Sequence, residues 1–212
     1  MKESEIREEI CRIGRSLHAR GYAHSSAGNI SARLDDGFLI TPTDACLGFL
    51  DPAELAKLDA DGNQISGARA SKTIVLHRSI YAKAKDANGI VHTHSTNLVA
   101  LSLLPDTDPT EILPPITPYY VMKVGHVPLI PYRRPGAPEV ADLVGAHIPR
   151  VRAVMLQALG PVVWDASVGK AAFALEELEE TAKLYLMTRG LSPRRLSEPE
   201  IADLKAAFKL DY

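Results

Sequence analysis

The sequence predicts an α/β domain built on one mixed sheet with helices on both faces. Three observations carry that reading. Segments with strand periodicity are interspersed with segments of helical periodicity, without the strict βαβ order of a parallel sheet. The length of 212 residues fits a single domain, 1–212, with a sizeable core. Hydrophobic residues make up 46% and charged residues 24%, the ordinary balance of a globular protein in water.

In order along the chain, Ile6, Ile10, Ile13 and Leu17 recur at helical spacing, so residues 3–20 read as a helix stopped by Gly21. SSAGNISARLDDGFLITPT reads as a Gly-containing loop, a strand, an Asp-Asp-Gly hairpin turn and a second strand. Residues 55–66 hold another short strand and the turn Asp61-Gly62. Ser71 is the expected N-cap of a helix to about Lys85, with Ile74, Leu76, His77, Ile80 and Tyr81 as its apolar stripe. GIVHTHS reads as a buried strand, and Asn97 to Leu104 as a short helix. The proline-rich stretch 105–138 is expected to hold short strands near Tyr119–Met122 and Leu129–Pro131. A helix follows from Glu139 to His147, then two strands, VRAVMLQ and PVVWD, around Gly160. Ser167 opens a long helix to Arg189, stopped by Gly190, with Leu178, Ala182, Tyr185 and Leu186 on its apolar face. A last helix covers about Glu198 to Phe208.

Composition narrows the partners. Lys plus Arg is 24 and Asp plus Glu is 26, a balance that gives no case for nucleic acid or an anionic membrane. No apolar run approaches the roughly 20 residues needed to span a bilayer. The first residues, MKESEIREEICRIGRSLHARG, are amphipathic and acidic, unlike a signal peptide. Cys11 and Cys46 have neither disulfide-scaffold nor CxxC spacing, so a reducing cytoplasm is the expected compartment.

The sharpest chemical signal is His92-Thr93-His94. On a strand, residues i and i+2 share a face, and two imidazoles so placed can share a divalent cation. The alternative is a pair of strand histidines that face water or make ordinary hydrogen bonds. Ser26-Ala27-Gly28-Asn29 and Thr41-Pro42-Thr43 read either as anion-cradling loops or as plain turns. Ser71-Lys72 at a helix start reads either as an anion site, through free N–H groups, the dipole and a cation, or as a simple N-cap beside a solvated Lys. His18, His77 and His147 lie on expected helices and read as structural or surface residues. His24 precedes the Gly28 loop, where it can line a site, and His126 lies in a turn.

Together the stretches GYAHSSAGNIS, LITPTDACLGFLDP, SGARASK, IVHTHS, ITPYYVMKVGHVPLIPYRRPG, LGPVV and ALEELEETAKL resemble the class II aldolase/adducin family over nearly the whole chain. TPYYVMKVGHVPLIPY and LEELEETAKL are especially similar to its bacterial 3-oxo-tetronate 4-phosphate decarboxylase branch. The resemblance implies a three-layer α/β/α sandwich with a central mixed, largely antiparallel sheet. It further implies a homotetramer with sites at subunit interfaces, a small-molecule substrate, and a zinc-type divalent ion on three histidines. The implied reaction is carbon–carbon cleavage, in which a Lewis-acid cation stabilises an enediolate and a nearby acid moves a proton. Carried over residue by residue, Gly28, Asn29, Thr43, Ser71, Lys72 and Tyr119 are implied substrate binders, and His92 and His94 metal ligands.

Three positions depart from the family's pattern. Leu159, in Ala158-Leu159-Gly160, stands where the family's Asn-His-Gly motif has its third metal histidine. Thr73 stands at the acid/base glutamate, and Asp44 at the glycine of the phosphate turn. A carboxylate there repels a phosphate at close range. Asp44, His24 and His126 are the donors left open for a third ligand, and Asp44 is a possible substitute in proton transfer. The expected function is a metal-dependent carbon–carbon lyase, decarboxylase or aldolase type, acting on a small sugar acid or 3-oxo acid through an altered site. The alternatives are a non-catalytic relative that kept the fold, or a different reaction on the same scaffold.

Overall fold

The computed structural model describes residues 2–191 and 193–210. Its centre is an eight-stranded sheet in the order β4-β3-β2-β1-β5-β8-β7-β6. The strands are β1 (Asn29–Leu34), β2 (Gly37–Ile40), β3 (Ala56–Asp59), β4 (Gln64–Ser66), β5 (Gly89–His92), β6 (Leu129–Ile130), β7 (Ala153–Leu156) and β8 (Gly160–Asp165). Only β6 and β7 pair in parallel; the other neighbours run antiparallel, as expected.

Strands β5 and β7 are buried along their whole length, because helices cover both faces. On one face Ile30, Val91, Val163 and Met155 pack with Ile10, Ile13, Leu17, Leu175 and Leu178 from α1 (Glu3–Ala19) and α6 (Val168–Thr188). On the other, Ile90, Val154, Val162 and Trp164 pack with Leu76, Ile80 and Val144 from α2 (Ile74–Lys83) and α5 (Glu139–Gly145). The period of two along each strand assigns alternate residues to the two cores. His92 pairs with Asn29 and Val162 across the ladder, so it belongs to the α2–α5 face.

Several expectations are corrected. The stretch Tyr119–Met122 is not a strand but part of helix α4 (Pro118–Lys123). Its apolar run suggested a strand, but Thr117 caps the helix by accepting from Tyr120 N at 3.1 Å and Pro118 sits at its first position. Ser71 does not cap α2. The helix begins two residues later with Thr73 at the cap position, because the backbone at 70–71 is first held against β2's continuation, through the Pro42–Ala70 bridge and Ser71 N to Thr41 O. The segment 55–66 forms two strands rather than one. Gly190 does not stop α6 outright: the chain tightens into a 3-10 turn, Arg189–Leu191. α3 (Thr96–Ser102) and α7 (Glu198–Phe208) stand where expected.

Candidate active site

The strand β5 ends at His92, so His94 does not share a strand face with it as the spacing suggested. The chain turns at Thr93, and the two rings nevertheless meet, centroids 5.1 Å apart and inclined by 61°. The turn is fixed by close approaches. A side chain at Gly160 would place its Cβ 2.0 Å from Thr93 O, and one at Gly28 would come 2.6 Å from His92 O. Both glycines have positive φ, at +141° and +92°.

His92 is 4% exposed. Its Nδ1 lies 2.8 Å from Pro161 O. A carbonyl only accepts, so Nδ1 carries the proton and Nε2 presents its lone pair. Burial, and secondarily the neighbouring His94, push the His92 pKa down to about 4, so the ring is neutral at pH 7. Burial also lowers His94, and nearby His24 adds to it.

Asn29 sits beside His92 in the ladder. Its Nδ2 donates to Thr73 Oγ1 at 3.0 Å, which leaves buried Oδ1 without a protein partner. Thr73 Oγ1 is also 3.0 Å from Ser71 Oγ. Behind this group, Ser31 Oγ bridges His77 Nδ1 at 2.7 Å and Tyr81 OH at 2.8 Å.

Asn29, Lys72, Thr73, His92, His94 and Leu159 all line one cavity of about 290 Å³. Thr73 and Leu159 therefore face the same space as the histidine pair. Gly28, Thr43, Asp44, Ser71 and Tyr119 do not line it. Asp44 is exposed, in a left-handed turn with φ 58°. Such a backbone favours glycine and tolerates Asp. Tyr119 is 58% exposed on α4.

His24 lies next to His94, with centroids 6.4 Å apart. His126 pairs instead with Glu111 and lines a separate cavity with Tyr120 and Lys205. Among the described residues no group of three or more His, Cys, Asp or Glu is placed to hold a metal ion. Leu159 offers an alkyl group that packs on the α2–α5 core. The three-histidine set implied by the family resemblance does not fit these residues; two imidazoles and the orphan Asn29 Oδ1 are what the cavity offers.

Sequence reasoning missed Arg133 and Arg134, which line the same cavity from the segment between β6 and α5. The signal was present as Tyr-Arg-Arg-Pro-Gly, but nothing local says that this loop returns to the histidines.

The chain matches the family described as Class II Aldolase and Adducin N-terminal domain over residues 8–186. It is 59% identical to the 3-oxo-tetronate 4-phosphate decarboxylase of Cupriavidus necator, over 98% of this chain and 97% of that one. It is 44% identical to the enzyme of the same name from Escherichia coli K12, over 96% and 97%. The crystal structure of YgbL from Escherichia coli superposes with a TM-score of 0.93 at 43% identity, covering 96% of this chain and 99% of that one. The chain belongs to the class II aldolase/adducin family. Among the described residues no helix is long and apolar enough to cross a membrane.

Proposed function

We propose that this chain is a carbon–carbon lyase of the decarboxylase type, acting on a small sugar acid or 3-oxo acid through an altered active site. One observation carries the reading: Asn29, Lys72, Thr73, His92 and His94 converge on one cavity in a chain 59% identical to a named decarboxylase. Loss of CO₂ from a 3-oxo acid leaves an enediolate, and the barrier falls with whatever stabilises that negative charge. Lys72 supplies a cation on the cavity wall. Asn29 Oδ1 is free to accept from a ligand hydroxyl. Neutral His94, half-buried in the cavity wall, is placed to take up or return a proton. Thr73 cannot perform that transfer near neutral pH, and in this reading it positions Asn29. His92 and His94 are the donors a divalent ion, zinc in the family resemblance, would find here, and such an ion would supply Lewis-acid stabilisation of the same charge.

The test is CO₂ release from 3-oxo-tetronate 4-phosphate and from its unphosphorylated acid, read beside the metal content of protein purified without added metal. Slow CO₂ release is expected. No release under any metal supplement overturns the lyase reading and leaves a binding or assembly protein on the same fold. That second reading is favoured by Leu159 and Thr73, which put an alkyl group and a hydroxyl where the family places a ligand and an acid/base.

The proposal extends to a homotetramer with sites at subunit interfaces, located in the cytoplasm. Phe49, Leu191 and Met187 are 83%, 78% and 69% exposed, apolar surface of the kind that association covers.

A further inference from the structure

Three cations, Lys72, Arg133 and Arg134, line the cavity that holds His92 and His94, and among the described residues no Asp or Glu lines it. A pocket walled by one sign of charge and by apolar side chains focuses its field on whatever enters. Here the apolar walls are Leu76, Val140, Leu156 and Leu159.

The arginine loop is built rather than loose. Tyr132 N donates to Gln157 Oε1 at 3.0 Å, and Gln157 N donates to Ile130 O at 3.0 Å. Ala137 N closes a turn on Arg134 O at 3.0 Å, and Pro131, Pro135 and Pro138 limit the backbone on either side. Among the described residues Arg133 has only a long contact to a carboxylate, 3.8 Å to exposed Glu139, and otherwise donates to Tyr132 O at 2.7 Å. A guanidinium so placed retains N–H groups for a ligand oxyanion. On the opposite account, the turn at Thr43 does not line this cavity, and Asp44 gives that turn a negative charge.

We infer that Arg133 and Arg134 form the subsite that holds the anionic end group, carboxylate or phosphate, of a small hydroxylated acid in this cavity. The inference rests on the reading that the cleft takes a sugar acid, but it needs no turnover. A hydroxyl on the ligand meets Asn29 Oδ1, buried and without a protein partner, while its charged end meets the arginine pair.

The experiment is isothermal titration of the full chain, in chelator and at low salt, with tetronate 4-phosphate, tetronate and inorganic phosphate. None of these probes can lose CO₂ as a 3-oxo acid does, so a protein without lyase activity still gives an answer. R133A/R134A is expected to weaken tetronate 4-phosphate by at least about tenfold. R12A/R15A, which removes the same charge from the exposed side of α1, is expected to stay within about twofold. R133K/R134K should recover part of the loss, because charge returns without the two-pronged fork. A loss shared by tetronate and its 4-phosphate assigns the carboxylate to the pair; a loss confined to the 4-phosphate and inorganic phosphate assigns the phosphate. Unchanged affinity in R133A/R134A, or a parent chain that binds none of the three probes, overturns the subsite.

Discussion

Glu179 on α6 clamps Asn97 at the start of α3. Its Oε1 accepts from both Asn97 N and Asn97 Nδ2 at 2.8 Å, and its Oε2 accepts from Leu98 N at 3.0 Å. The first turn of a helix has free N–H groups, and here a buried carboxylate from another helix satisfies them. α3 begins two residues after His94, so this clamp also sets where His94 stands.

Glu179→Ala leaves those donors buried without partners and is expected to cost about 2–3 kcal/mol. Urea unfolding measures it. Glu179→Gln keeps one acceptor and should cost less. An alanine variant as stable as the parent would show that water replaces the clamp.

Ala158 has φ 59°, a left-handed backbone that an L side chain other than Asn, Asp or Gly enters at a cost. It occupies the turn between β7 and β8 beside Leu159, and its N–H is held by Ser102 Oγ at 3.0 Å. Ala158→Gly or Ala158→Asn is therefore expected to stabilise the chain by on the order of 1 kcal/mol, a rise of roughly 2–4 °C in Tm. Scanning calorimetry decides it, and a lower Tm in both variants counts against strain at this turn.

Thr73→Glu with Leu159→His places a carboxylate and a third imidazole in the cavity lined by His92 and His94. The double variant is expected to retain divalent metal through dialysis and to release CO₂ from 3-oxo-tetronate 4-phosphate at least about tenfold faster than the parent. Equal rates and equal metal content would show that these two positions do not control metal retention or turnover.

His77 is fully buried, its Nδ1 engaged by Ser31 and its Nε2 without a partner. Burial, with a smaller contribution from His92, pushes its pKa down to about 3. The unfolded chain takes up a proton on this ring near the ordinary value of about 6.5, whereas the folded chain does not until about pH 3. The unfolded state thus binds more protons across that window, so stability is fully present above about pH 6.5 and falls as pH drops towards 3. The slope from this one ring is about 1.4 kcal/mol per pH unit at most. Urea midpoints at pH 7.5, 6.5 and 5.5 should show the decline, and His77→Gln should flatten it by one proton's worth. An unaltered slope in that variant would show that the folded ring takes up its proton near the same pH as the unfolded one.

The regular parts of the fold were legible because each carries its own periodicity. Ile10, Ile13 and Leu17 mark α1, and Ser167 caps α6 by accepting from Lys170 N at 3.2 Å, as the sequence indicates. Tyr119–Met122 reads as a strand because a six-residue helix is too short to show a period of 3.6; Thr117 as its cap, Pro118 at its first position and packing against α6 and α7 make it helical.

The sequence by itself determined the family, most of the sheet-forming segments and the residue types His92, His94, Thr73 and Leu159. Their spacing and identities are local facts of the chain. Tertiary structure decided which of the candidate residues share one space. Thr73 and Leu159 stand 86 positions apart in the chain but line one cavity, whereas Thr43 and Asp44 do not. It also brought Arg133 and Arg134 to the same wall, through the backbone bonds that tie residues 130–132 to Gln157. The physical reason is that burial and strand pairing act between segments remote in sequence, and no local pattern encodes which of them will meet.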